Sequence, residues 1–387
     1  MSEQTPFMKR RMDMLLTLVF CVLVCLPLVG GVMGWDLTHD LGEKRVLARC
    51  PALGQDPLGT IPDKFEAFYQ DHFGFRNGLI RGHNWIRYKL FKGSSFGKVL
   101  FGKNDWLFLT KSGILPDFLG QNPMTTADLE AWRDALEQRQ RWLAERGIRY
   151  LFVIAPNKAT IYPEMLPDHV QKGRGRSRMD QLLGYLRDLS SVNCLDLRPA
   201  LLQAKASGLV YHPKDSHWTD RGSFIAYEQI CRRLGEWFDD LRPLSSDCFE
   251  LSTGKEATDL SMMLGLGKEL AGDTERWVPK TPYVAVHMPL TLPEPYASSR
   301  GLVPEDQVAL ECEKGKRRLL MFHDSFAVRG GLREHLGECF RRSAFTSATP
   351  DMESLELSVE QEHPDVVIEE MVERKLKDIP SSRSDDE

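Results

Sequence analysis

The chain has 387 residues, of which 27% are charged and 42% hydrophobic, and its formal net charge is -5. That length can bury one large core or two smaller ones. The balance is that of an ordinary soluble chain, and it excludes a polycation that would bind nucleic acid through bulk charge.

The first element is apolar. Lys9, Arg10 and Arg11 precede a stretch from Met14 to Trp35 that carries no charge. Its length suits a helix that crosses a bilayer. Positive charge ahead of it puts the N-terminus in the cytoplasm and the rest of the chain outside. A cleaved signal peptide is the alternative, with small residues at Gly31 and Gly34 near a cleavage point. The run exceeds the ~7–15 residues of a signal core, which favours an anchor. Either way the bulk of the chain is exported. Cys21 and Cys25 fall inside this segment as apolar filler. The other six cysteines lie where disulfides are permitted, and no CxxC or Cys/His spacing selects a pairing or points to zinc.

After a linker at 36–61, Pro62 opens a helical stretch whose apolar stripe of Phe65, Phe68, Tyr69, Leu79, Ile80 and Trp85 is interrupted at Gly74. Val99–Phe101 and Trp106–Leu109 read as a hairpin with Gly102 and Asn104 in the turn. Thr126 is placed to cap a helix that presents Leu129, Trp132, Leu136 and Leu143 and stops at Gly147. Tyr150–Ile154 is a continuous apolar run of the kind buried in a parallel sheet.

The alternation repeats. Helix is predicted over Arg178–Leu189, Pro199–Lys205, Ser223–Trp237 and Ser325–Leu336, and strand over Cys194–Leu197, Leu209–His212, Arg318–Phe322 and Asp365–Glu369. This predicts an α/β fold, a mostly parallel sheet with helices on both faces, and a site at the carboxyl ends of its strands. Residues 246–311 hold Pro279, Pro282, Pro289, Pro293, Pro295 and Pro304 and read as an insertion or lid. Residues 376–387 read as a polar, disordered tail. Trp132, Trp142 and Trp237, on helical stripes, read as core.

Two short blocks carry the chemistry. Asp215-Ser216-His217-Trp218 supplies a carboxylate and an imidazole, and His323-Asp324-Ser325-Phe326 supplies a hydroxyl where a strand turns into a helix. A serine hydroxyl needs a base within hydrogen-bond reach, and a helix start offers N–H donors for an oxyanion. Each block alone also reads as helix capping. A metal site built from His212, Asp215, His217, His323 and Asp324 is the rival, although the spacing of His212 and His217 fits no helix face. Asn157 and Lys158, after the buried strand, are a candidate second donor source or a plain helix entry. Trp218 either braces His217 or stacks on a sugar ring. Arg329 and Arg333 stand one turn apart on the predicted helix and meet either acidic sugars or solvent.

The Asp215–Trp218 block, the later Asp324-Ser325-Phe326 and the run Pro364–Glu369 ending in Val372-Glu373-Arg374 resemble the exported alginate O-acetyltransferase proteins of the J and X type. Phe65–Phe68, Asp71–Arg76, the Lys98–Leu109 hairpin and Pro156–Glu164 carry the same resemblance. An anchor (1–35) with one domain (62–375) is more similar to the J type. The resemblance implies a permuted SGNH-hydrolase-like domain in which Ser325 is the nucleophile, His217 the general base and Asp215 its orienter. It implies no cofactor and no metal. It also implies a multipass membrane O-acyltransferase as acetyl donor, a polysaccharide acceptor, and a periplasmic domain tethered to the inner membrane. An acetylesterase and a non-catalytic scaffold of the acetylation complex are the alternatives. One departure stands out: the family's serine block usually reads Gly-Asp-Ser, and here His323 occupies the Gly position.

Overall fold

The computed structural model describes residues 6–33, 46–52, 54–90, 95–241, 243–290 and 307–380. Residues 36–45 and 53 of the expected linker, Pro293, Pro295 and Pro304 of the expected insertion, and the end of the polar tail lie outside the described residues. The chain divides into two units, 1–92 with 257–270, and 93–256 with 271–387.

In the first unit the apolar N-terminal helix runs over Pro6–Val32. Its Arg10–Gly31 span of 22 residues has a mean hydropathy of 2.6 and is long and apolar enough to cross a membrane. The predicted helical stretch is two helices, Ile61–His72 and Arg76–Leu90, parted at Gly74. A Cβ on Gly74 would fall 2.4 Å from the Gly31 nitrogen, so the residue must be small there. Asn84 donates to the carbonyl of Leu264 at 2.7 Å and ties the Asp259–Met263 segment to the second helix.

The second unit begins with a three-stranded antiparallel sheet, β1 (Ser95–Phe96), β2 (Val99–Phe101) and β3 (Leu107–Leu109), the predicted hairpin with one added strand. Its main sheet contains β4 (Arg149–Ala155) and β5 (Cys194–Asp196). Apart from it lies a two-stranded ribbon of β6 (Phe249–Glu256) and β7 (Gly272–Pro279). The main sheet is completed by β8 (Val286–Met288), β9 (Val308–Glu311), β10 (Arg318–Phe322), β11 (Arg342–Thr346) and β12 (Val366–Val372), in the order β5-β4-β12-β10-β11-β9-β8. The four pairings from β5 to β11 are parallel, and β9 and β8 close the edge antiparallel.

Odd and even residues of the central strands feed two cores. Leu151, Val153, Leu319, Met321 and Ile368 face one side and Phe152, Ile154, Leu320, Phe322 and Val367 the other. Both faces being dry explains why these strands read as unbroken apolar runs. Trp132 is fully buried in the second core, while Trp142 and Trp237 are partly buried against the two cores.

Four expectations are corrected. Leu209–His212 is not a strand; only an isolated bridge joins Tyr211 to Trp218. The cap of the 126–144 helix is Thr125, whose hydroxyl accepts from Asp128 N. The helix after Ser325 breaks into Ser325–Val328, a 3-10 turn over Arg329–Gly331, and Leu332–Gly337. Gly330 has φ 78°, and a Cβ there would meet Ser223 Cβ at 2.5 Å, so both backbone and packing require glycine. Finally, among its described residues the expected insertion forms no separate lid. β8 and β9 extend the main sheet, and Phe249 and Trp277 anchor the ribbon on Phe224 of the core.

Candidate active site

Ser325 follows β10 at the carboxyl edge of the sheet, where Asp324 caps the short helix. One Asp324 oxygen accepts from Phe326 N at 2.9 Å and the other from Val372 N at 2.9 Å, which fastens the serine turn to the end of β12. Asp324 N in turn donates to Glu370 at 3.1 Å. Glu370 is fully enclosed, and burial together with the nearby Asp324 carboxylate pushes its carboxyl well up. Of the helix-start N–H groups expected to face an oxyanion, that of Phe326 is thus already taken. The Ser325 N–H makes no hydrogen bond among the described residues. The serine itself is exposed.

The base arrives on a loop rather than at a strand end, contrary to expectation. Residues 211–218 form a narrow-necked excursion closed by the Tyr211–Trp218 bridge and by Thr219 N donating to Val210 O at 3.0 Å. Thr219 then caps the Asp220–Gly235 helix. Inside the loop, Asp215 Oδ1 accepts from His217 N at 2.9 Å and lies 2.7 Å from His217 Nδ1. His217 Nε2 lies 2.9 Å from Ser325 Oγ. With Nδ1 donating to the carboxylate, Nε2 is left as the acceptor for the serine proton. His217 is 8% exposed and Asp215 9%, so a sheltered base meets an accessible hydroxyl. Ser216 Oγ lies 3.4 Å from Nδ1.

Of the other sequence candidates, Trp218 is 1% exposed, and its indole N–H donates to the carbonyls of Phe326 at 3.1 Å and Arg329 at 2.9 Å. It braces the base loop against the nucleophile's turn and offers no face to a sugar. Lys158 is 4% exposed, and its ammonium donates to the carbonyls of His212 and Pro213 at 3.1 Å each and of Asp215 at 2.6 Å. It clamps the base loop from below. The Asn157 N–H is committed to Glu373 Oε2 at 2.8 Å and so is not a second oxyanion donor. Arg329 is exposed near Ser325, whereas Arg333 is buried and separated from it by Gly330 and Gly331, so the two share no helix face.

His323 does not crowd the triad. Its ring is buried, with Nδ1 2.8 Å from the Asp324 carbonyl and its edge toward Phe345. Burial pushes its imidazole down to about 4. His212, His323 and Asp324 do not join Asp215 and His217 in one ligand cluster, so the five-residue metal set is not assembled among the described residues.

Sequence reasoning missed Glu373 and Arg374 as members of this edge. Glu373 Oε2 also accepts from Thr160 Oγ1 at 2.6 Å, and burial raises the carboxyl to about 7. The Arg374 guanidinium sits 5.3 Å over the Phe326 ring, and it lines a small cleft with Phe108, Asn157, Lys158 and Ser216. A Glu-Arg pair at the end of a strand looks solvated in sequence, and only the pairing of β12 between β4 and β10 brings it here. A cavity bordered by Arg139, Pro350 and Met371 contains no triad residue.

Residues 99–289 match the family model described as SGNH hydrolase-like domain, acetyltransferase AlgX. That segment includes Asp215 and His217, and Ser325 lies beyond it. The probable alginate O-acetylase AlgJ of Pseudomonas aeruginosa is 30% identical over 210 residues, 54% of this chain and 49% of that protein. The protein of the same name from Azotobacter vinelandii is 26% identical over 181 residues, 46% of this chain and 43% of that protein. The chain thus spans about half the length of the curated relatives it matches. The solved structure of Bacillus cereus PatB1 superposes with a TM-score of 0.51 at 14% identity, covering 72% of this chain and 96% of that one, a likeness of fold. Over residues 99–289 this chain is thus similar to the SGNH hydrolase-like domain of the AlgX acetyltransferase model, and over about half its length it is similar to the AlgJ proteins.

Proposed function

We propose that the chain is an exported polysaccharide O-acetyltransferase that works through an acetyl ester on Ser325. The observation that carries this reading is the relay from Asp215 through His217 to Ser325, with contacts of 2.7 and 2.9 Å, ending on an exposed hydroxyl at the sheet's carboxyl edge. His217 Nε2 takes the Oγ proton as Oγ attacks the acetyl carbonyl, and Asp215 stabilises the imidazolium. The imidazolium returns that proton to the leaving group of the donor. A sugar hydroxyl then gives its proton to Nε2, attacks the ester, and releases Ser325. The Ser325 N–H is the near donor for the oxyanion of both steps.

The donor is a multipass membrane O-acyltransferase and the acceptor an alginate-like or cellulose-like polymer; the printed name of the Pseudomonas aeruginosa relative supports the alginate-like class. The apolar N-terminal span supports a domain tethered outside the inner membrane. An acetylesterase shares the first half-reaction and replaces the sugar hydroxyl with water.

The test incubates the full chain in detergent with an aryl acetate. Wild-type protein is expected to release acetate and to carry an acetyl group on the Ser325 peptide, and Ser325→Ala to do neither. Equal rates in the two proteins would leave only the scaffold reading. Acetylated polymer in the presence of polysaccharide distinguishes transfer from hydrolysis.

A further inference from the structure

The helix that follows His217 and the segment that follows Ser325 meet at two thiols that the acyl chemistry does not use. Cys231 is fully buried on the Asp220–Gly235 helix. Cys339 lies two residues beyond the Leu332–Gly337 helix and is half-buried. The two thiols lie near enough to shift each other's ionisation, burial pushing Cys231 up and Cys231 drawing Cys339 down. Tyr227, one turn before Cys231 on the same helix face, places its hydroxyl 3.0 Å from Cys339 Sγ. That hydroxyl accepts from Leu244 N at 2.9 Å, which leaves its proton for the sulfur.

We propose that Cys231 and Cys339 form a disulfide in the mature protein, joining the helix begun by the base loop to the segment begun by the nucleophile. The proposal rests on the exported location inferred above, because disulfides persist outside the reducing cytoplasm. Cys339 is the entry thiol, being the less buried of the two and the one whose thiolate is favoured by its neighbours Cys231 and Tyr227. Its thiolate attacks a sulfur of a small-molecule or protein disulfide and displaces one thiolate. The Cys231 thiol then loses its proton, attacks Cys339 Sγ in the mixed disulfide and displaces the second thiolate. Two electrons pass to the disulfide oxidant, and the two thiol protons end on the two departing thiols. The link closes a loop of 108 residues (339 minus 231) that contains the ribbon, β8 to β10 and Ser325. Restricting that loop limits how far the two halves of the triad separate when the chain loosens.

The test equilibrates the reduced full chain, in detergent, with glutathione and its disulfide, then quenches, denatures, alkylates and digests it. Six of the eight cysteines are expected to alkylate, and one linked peptide pair is expected to contain Cys231 and Cys339. In Cys231→Ala protein, Cys339 is expected to alkylate or to carry glutathione. Alkylation of both thiols at every buffer ratio, or a linked pair joining either one to another cysteine, overturns the proposal. Protease accessibility of the chain in spheroplasts tests the location separately, so a cytoplasmic chain would refute export while the pairing is still decided in the tube.

Discussion

Replacing Lys158 with Met tests whether the base is held in place by a buried cation that never touches the reacting atoms. The side chain length is kept, and three donors are lost. The carbonyl of Pro213 keeps a second partner, Leu107 N at 2.9 Å, so the loss falls mainly on the bonds to the His212 and Asp215 carbonyls. A hydrogen bond from a charged donor is worth about 1.5–3 kcal/mol, so losing two costs about 3–6 kcal/mol. Removing a buried ammonium offsets part of this, and the apolar methionine packs where Lys158 now lies 5.0 Å from the Phe108 ring centre. We expect a net loss of about 2–4 kcal/mol in denaturant unfolding. The catalytic effect is separate. Asp215 and His217 ride on the released loop, and a misplacement of about 1 Å costs on the order of 100-fold in rate. Aryl acetate hydrolysis is expected to show kcat down by about that factor with KM nearly unchanged. A variant that unfolds more easily yet keeps wild-type kcat while folded would refute the positioning role, and one unchanged in both would refute the clamp itself.

Two more perturbations probe the same edge. Glu373 is raised to about 7 by burial, against an ordinary carboxyl near 4.5, so the folded state holds its proton more tightly than the unfolded chain. Its neutral form is compatible with folding below about pH 4.5, and stability is lost as pH rises from there to about 7, on the order of 3 kcal/mol. Glu373→Gln keeps an oxygen for Asn157 N and Thr160 Oγ1, so it is expected to match wild type at pH 5 and exceed its stability at pH 8. Taking the difference between the two proteins removes the similar contribution of Glu370, and equal pH slopes in unfolding would count against the assignment. Trp218→Phe removes the indole N–H that spans Phe326 O and Arg329 O while keeping most of the apolar volume. It is expected to lower unfolding free energy by about 1–2 kcal/mol and to reduce kcat several-fold; a stability within experimental error of wild type would show that the brace is unimportant.

The central sheet was legible because burial on both faces writes strands as apolar runs, as in Arg318–Phe322, where prediction and structure coincide. Arg178–Leu189 was equally plain from its period. Leu209–His212 has the same local composition as a strand, yet its backbone is taken up elsewhere: the Lys158 ammonium holds its end, Tyr162 OH accepts from Val210 N, and Thr219 N donates to Val210 O. Those partners are distant in sequence or are side chains, so no periodicity reports them. The break after Ser325 did have a signal, the adjacent glycines 330 and 331, which the helical spacing of the flanking apolar residues outweighed. The buried acids of β12 had none. Glu369 is balanced by Arg139 at 3.0 Å and by Tyr150 OH at 2.6 Å, and a strand with Glu369 and Glu370 that runs on into Glu373 and Arg374 looks solvent-facing until its neighbours are known.

The position of β12 explains why one edge can hold a triad whose members are 108 residues apart (325 minus 217). β12 lies between β10, which delivers Ser325, and β4, which delivers Asn157 and Lys158. From that middle position Val372 N fixes Asp324 on one side while Glu373 fixes Asn157 on the other. Lys158 and Trp218 then carry the base loop across to the serine. In the proposed reaction the base is therefore placed by contacts to its backbone and the nucleophile by contacts to its turn, which leaves the reacting side chains themselves free to exchange protons. Such an arrangement separates structural from chemical roles, so a change at Lys158, Trp218 or Asp324 should move geometry and rate while leaving the order of chemical steps intact.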